Sequence, residues 1–260
     1  MAHYKPTDGI VVVTGGASGI GLALAQRFAA DGARVVLADL DGARAARAAY
    51  ALGEGHGGIG LDVTDEEAVA RAVDRIEDEL GPIGIWCSNA GVATPPGLGT
   101  DSDWELAWGV HVLAHLYAAR TVLPRMVERG RGHFLVTASA AGLLTELDVA
   151  AYAVSKHGAV ALAEWLAIRY GGDTGVTFSC LCPQGVRTPL LDGAPADSAT
   201  LAAAPLLEPA EVADRVVEAI DEGRFLILPH PEVAQYSLNR VTDTDRWLGG
   251  MRKLYHRLHP

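Results

Sequence analysis

The chain is poor in cysteine, in positive charge and in long apolar runs, and each shortage excludes something. Cys87, Cys180 and Cys182 are the only cysteines among 260 residues. An odd number lying inside apolar stretches fits reduced, buried thiols rather than a disulfide framework. Cys180 and Cys182 on one strand would face the same side and could touch a metal, but no Cys or His cluster completes the set, so no metal is expected. The 21 Lys and Arg are outnumbered by 32 Asp and Glu, a formal charge of -11, which disfavours nucleic acid as a partner. The mildly basic run Arg246, Arg252, Lys253 and Arg257 is interleaved with Trp247, Leu248, Leu254 and Tyr255 and reads as a helix face. No stretch reaches the roughly 18 apolar residues of a membrane span, and the opening MAHYKPTDG lacks the apolar centre of a signal peptide. The expectation is a cytoplasmic protein that does not engage a membrane.

What the chain does have is apolar substance, 49% hydrophobic residues against 20% charged, with 30 glycines and 13 prolines. That excludes disorder, a coiled coil and a collagen-like repeat. Short β-branched runs recur at 10–13, 35–38, 59–63, 83–87, 134–138, 176–182 and 225–228, separated by Ala- and Leu-rich helical stretches. Runs apolar throughout suit strands covered on both faces, hence a parallel sheet. Seven of them with crossover helices predict a doubly wound α/β sheet, a Rossmann fold, in a single domain over 1–260. Thr64 and Glu67 suggest a capping box, Pro209 a helix first turn, and 103–129 and 150–170 two long helices. The irregular segment 190–207 reads as a substrate lid or a surface insertion, and 236–260 as a C-terminal extension.

Directly after the first strand, Thr14-Gly15-Gly16-Ala17-Ser18-Gly19-Ile20-Gly21 leads into a helical run at 22–30. Glycines there allow a sharp turn, close approach of a pyrophosphate to backbone N–H groups, and tight helix-strand packing. Asp39 ends the second strand 18 residues beyond Gly21, where a carboxylate accepts ribose hydroxyls and repels a 2′-phosphate. Neither Ala17 nor Leu40 is basic, so NAD is expected over NADP. Tyr152 and Lys156 share one helix face, and Ser139 lies 13 residues before the tyrosine at a strand end.

With these residues in order, joined by Asp62-Val63, Asn89-Ala90-Gly91 and the run 183–188, the chain resembles a short-chain dehydrogenase/reductase of the shorter, single-domain type. The resemblance implies a hydride transfer between a secondary alcohol or ketone and nicotinamide. Tyr152 would act as base or acid, its pKa lowered by Lys156, and Ser139 would hold the substrate oxygen. It also implies a cofactor held by Gly15, Ser18, Gly19, Ile20, Gly21, Asp39, Leu40, Asp62, Val63, Asn89, Ala90, Gly91, Tyr152, Lys156, Pro183, Val186 and Thr188. Lys156 would hold the nicotinamide ribose and Thr188 the carboxamide.

Two positions depart from the family. Gln184 stands where a glycine is common, and could contact substrate. His111 stands where an asparagine of a proton relay is common, so it is either a catalytic proton carrier or a packed core residue. His111 and His115, four apart, have a zinc-like spacing without a third ligand. Ala140, Ala141, Leu143, Leu144, Leu147, Leu190 and Leu191 predict a mainly apolar cavity, and Glu146 and Asp148 would oppose an acidic substrate if they face inward. A small-molecule substrate, apolar and of low charge, is expected, its identity open. The apolar circumference of the two long helices predicts a homodimer or homotetramer. The stretch from Tyr236 either crosses a neighbour or covers the substrate entrance. The alternative function is a dinucleotide-binding regulator with weak catalysis. A methyltransferase would have no use for the Tyr-x-x-x-Lys pair.

Overall fold

The computed structural model describes residues 9–192 and 205–259. Seven strands form one parallel sheet: β1 (Ile10–Thr14), β2 (Arg34–Asp39), β3 (Gly57–Gly60), β4 (Ile83–Ser88), β5 (Gly132–Thr137), β6 (Val176–Leu181) and β7 (Leu226–Ile227). Their order is 3-2-1-4-5-6-7, so the winding reverses between β1 and β4. Ligands in such sheets bind outside the carboxyl ends of the strands at that reversal. Alternating side chains feed two cores. Val12, Trp86 and Phe134 pack beneath α3 (Glu66–Glu79), α5 (Ala114–Arg129) and α7 (Ala150–Tyr170). Val11, Val13 and Leu135 pack beneath α1 (Gly19–Ala30) and α8 (Pro209–Asp221). The expected doubly wound architecture is the observed one.

Several local expectations need correction. The third strand lies at Gly57–Gly60 rather than 59–63, because glycine is required where α2 (Gly42–Leu52) crosses. A Cβ on Gly58 would sit 2.4 Å from the Ala45 backbone. Close approach therefore outweighs the low strand preference of glycine. Asp65, not Thr64, caps α3: its Oδ1 accepts the Ala68 N–H at 3.0 Å. Thr64 is already committed, donating its N–H and hydroxyl to Asp62 Oδ1 at 2.9 and 2.7 Å. The helix expected at 103–129 is three pieces, α4 (Asp101–Trp108), a π-turn (Gly109–Leu113) and α5. The helix expected at 150–170 is α7 with those bounds, and Pro209 opens α8.

Chain 189–191 makes a short 3₁₀ turn, Pro189–Leu191, after α6 (Ala141–Leu144) and α7 have been laid down. Of the segment 190–207, residues 193–204 lie outside the described residues. Its two ends meet, since the Leu207 N–H donates to Gly185 O at 3.2 Å and the Arg187 N–H to Leu207 O at 2.9 Å. The C-terminal stretch forms α9 (Glu232–Thr242) and α10 (Thr244–Leu258). Tyr236 and Trp247 pack with Ala140, Leu144 and Val233, and Arg240 Nη1 donates to Leu143 O at 2.7 Å. Among the described residues, no helix is long and apolar enough to cross a membrane.

Candidate active site

A cleft of about 2060 Å³ opens over the carboxyl ends of the strands. At one end lies the glycine turn. Gly15 and Gly19 have φ of +63° and +52°, conformations that side chains rarely adopt. Ser18 precedes α1 without a side-chain cap, and the first turn of α1 carries no acidic residue. Its amides and positive dipole end are therefore left for an outside anion. Gly15, Ser18, Gly19, Ile20 and Gly21 all line the cleft.

Asp39 leaves the end of β2 and turns back to this loop, its Oδ2 accepting the Ala17 N–H at 3.0 Å and its Oδ1 the Asp41 N–H at 3.2 Å. Capping of α2 falls to Asp41 instead, which accepts from the Arg44 N–H. Leu40 is 78% exposed on the rim. Asp62, Val63, Asn89, Ala90 and Gly91 form the facing wall. Thr14, which sequence reasoning used only as the start of a motif, joins the two walls. Its hydroxyl accepts the Asn89 and Ala90 N–H groups at 2.9 and 3.1 Å, while Asn89 Nδ2 donates to Thr14 O at 3.0 Å. Asn89 thus spends its side chain on holding β1 to β4.

At the other end, Ser139, Tyr152 and Lys156 line the same cleft with Pro183, Val186 and Thr188. Ser139 follows β5 and is held by the Ala141 N–H donating to its Oγ at 3.1 Å. Lys156 is buried, donates from Nζ to Thr137 O at 3.0 Å, and lies 5.7 Å from the centre of the Tyr152 ring. Burial pushes its pKa down to about 8. The phenol does not behave as expected from the chain alone. Burial holds the Tyr152 pKa above its ordinary value, and the hydrogen bond with Ser139 only opposes this. Desolvation penalises the charged form of either group, so the protein by itself does not acidify the phenol.

His111 sits in the π-turn, fully buried, with its ring edge-on to Tyr152 at 5.3 Å. Its tautomer follows from its neighbours. Nε2 accepts the Val92 N–H at 3.1 Å, and the Ser155 hydroxyl donates to Tyr152 O at 3.1 Å. Nδ1–H is therefore the donor to Ser155 Oγ, at 2.9 Å. Burial first, then the Lys156 charge, hold the His111 pKa well below the usual imidazole value. His115 turns elsewhere, to Ser88 Oγ at 2.6 Å, and its pKa is lowered to about 3 by burial. The π-turn breaks the α-helical spacing that would align the two rings. Among the described residues, no group of three or more His, Cys, Asp or Glu could hold a metal. Cys180 and Cys182 do face one side, with sulfurs 3.7 Å apart, and are buried.

For the far wall the sequence left two alternatives open, a contact across a neighbour or a cover over the entrance. Tyr236 of α9 and Trp247, Met251, Leu254 and Tyr255 of α10 line the cleft, so the C-terminal extension covers the chain's own entrance. Gln184 also lines it, and its Oε1 is buried without a partner among the described residues. The backbone N–H of Gln184 donates to His230 Nδ1 at 3.1 Å, which fixes the loop.

The model of the family described as short chain dehydrogenase matches residues 9–199, well over half the chain. The chain belongs to the short-chain dehydrogenase family. Among curated relatives, the 1-deoxy-11-beta-hydroxypentalenate dehydrogenase of Streptomyces exfoliatus is 40% identical over 85% of this chain and 82% of its own. The meso-2,3-butanediol dehydrogenase of Serratia marcescens is 33% identical over 72% of this chain and 74% of its own. A solved short-chain dehydrogenase/reductase from Burkholderia phymatum, in complex with NAD, superposes with a TM-score of 0.83. It is 29% identical, with 93% of this chain and 96% of that one covered. The protein is thus an oxidoreductase of a family whose relatives here are named dehydrogenases.

Proposed function

We propose that the protein is an NAD(H)-dependent dehydrogenase of secondary alcohols, or reductase of the matching ketones, working on mainly apolar substrates. The observation that carries this reading is the convergence of Ser139, Tyr152 and Lys156 on the cleft that also contains the glycine turn and Asp39. The cofactor fits the residues present: uncapped α1 amides suit a pyrophosphate, and a carboxylate at the rim suits ribose hydroxyls. Asp39 would also repel a 2′-phosphate, which favours NAD over NADP. When bound, the oxidised nicotinamide would accept the hydride and bring the positive charge that the buried phenol lacks.

In the oxidising direction the ionised Tyr152 oxygen takes the proton of the substrate hydroxyl as the C–H electron pair leaves with its hydrogen. The carbon–oxygen double bond forms, and Tyr152 ends protonated. Ser139 donates a hydrogen bond to the substrate oxygen, and Lys156, anchored on Thr137 O, would hold the nicotinamide ribose. His111 positions rather than relays: both ring nitrogens are committed, and its ring backs the Tyr152 ring. Leu106, Trp108, Trp165 and Ile168 remain exposed on α4 and α7, and these faces would join two or four copies in the cytoplasm.

The test is a broad panel of secondary alcohols with NAD, following absorbance of the reduced nicotinamide, repeated with Tyr152→Phe. Turnover should fall by about a thousand-fold, a usual yield of general base catalysis, while NAD still binds. Turnover that survives the substitution excludes Tyr152 as the base. NAD binding without turnover of any alcohol or ketone would favour a dinucleotide-binding regulator.

A further inference from the structure

The substrate end of the cleft is apolar over most of its wall, through Leu144, Trp247, Met251 and Leu254, but carries two carboxylates on the turn between α6 and α7. They are Glu146 and Asp148. Asp148 is engaged, its Oδ1 lying 3.3 Å from His259 Nε2 at the end of α10. Glu146 uses Oε2 to accept the N–H groups of Asp148, at 2.7 Å, and of Val149. A carboxylate has about four acceptor sites, so Glu146 retains capacity beyond its neighbouring amides, those of Leu147, Asp148 and Val149. It is half-buried, and burial raises its pKa. It lines the same cleft as Ser139 and Tyr152, and after burial its charge contributes to raising the Tyr152 pKa. The basic side chains lining the cleft are otherwise engaged: Lys156 donates to Thr137 O, and His259 lies against Asp148.

We infer that the substrate carries a second hydroxyl in addition to the carbinol that reacts, that Glu146 accepts a hydrogen bond from it, and that alcohols bearing a carboxylate are rejected at this place. The class is a neutral diol or hydroxyketone with an otherwise apolar body. Such a group offers the donor that an acceptor-only carboxylate needs, whereas a substrate carboxylate would bring two like charges together in a poorly solvated wall. This rests on the proposed function and names the substrate class of the same site.

The experiment compares three probes of one skeleton with the full chain and NAD: cyclohexanol, cyclohexane-1,3-diol and 3-hydroxycyclohexanecarboxylate. Each is measured as kcat/KM with the unaltered protein, Glu146→Gln and Glu146→Leu. The unaltered protein should prefer the diol to the carboxylate by about ten-fold or more, the scale of one screened like-charge contact. Glu146→Gln keeps an acceptor and should lose the rejection of the carboxylate while keeping the preference for the diol over cyclohexanol. Glu146→Leu should lose both. A role confined to holding the α7 start would change all three probes together, and ratios left unchanged in both variants overturn the inference. If the variants fail to fold, the unaltered protein decides: equal use of diol and carboxylate overturns it. Turnover of cyclohexanol with no such selectivity leaves the proposed function standing, whereas failure of a broad alcohol panel removes that function and this inference with it.

Discussion

Replacing His111 separates a proton carrier from a positioning residue. In His111→Ala the Val92 N–H loses its acceptor, and an unpaired, partly buried amide costs about 1–3 kcal/mol. The edge-on contact with Tyr152 adds about 0.5–1.5 kcal/mol. Unfolding free energy should therefore fall by about 2–4 kcal/mol, read from urea denaturation by tryptophan fluorescence. Turnover should fall by about ten- to a hundred-fold through a loosened phenol, a barrier change of about 1.4–2.7 kcal/mol, with NAD affinity less affected. His111→Asn keeps an acceptor and a donor and should recover part of both losses. Burial keeps His111 neutral through the working range, so the loss should be even across pH and the limbs of the kcat profile should stay in place. A limb that moves by about one pH unit or more in the alanine variant would show that His111 exchanges a proton during turnover. Unchanged turnover and stability would show that it does neither.

Two further outcomes follow from the geometry. Asp39→Asn keeps an acceptor for just one of the Ala17 and Asp41 amides and removes the charge, and should shift the NADP-to-NAD ratio of kcat/KM upward by roughly ten- to a hundred-fold; an unchanged ratio would show that Asp39 does not face the ribose. Stability should also fall steeply in acid. His115 and His133 have pKa values lowered to about 3 and His111 is held well below its usual value, all through burial. The unfolded chain takes up protons at these residues near pH 6.5, whereas the folded chain refuses them, so stability is lost as pH falls below about 6.5. Between pH 7 and 5 His115 and His133 each contribute a loss of about 2 kcal/mol, and His111 adds to it in the same direction. Urea midpoints at the two pH values measure it, and equal midpoints would contradict three neutral buried imidazoles.

The parts of this protein that sequence determined are those whose cause is local. Apolar β-branched runs announced the sheet, because strands covered on both faces have no solvent side to pattern. The glycine turn announced its shape because glycine adopts φ of +63° and +52°, as at Gly15 and Gly19, without the strain a side chain meets there. Helical spacing placed Tyr152 and Lys156 on one face of α7, and both line the cleft. What tertiary structure decided is what those faces meet. Gly57–Gly60 is a strand through its pairing with β2, with glycine at 58 because α2 crosses closely there, and Thr64 is no cap because Asp62 holds it. The pairing of His111 with Ser155, 44 residues on, fixed a tautomer that the sequence left open between carrier and core. The closure of the cleft by Trp247 and Tyr255 depends likewise on contacts between distant segments. Periodicity records how apolar a face is; it carries no information about which partner, tens of residues away, arrives to bury it or to share its protons.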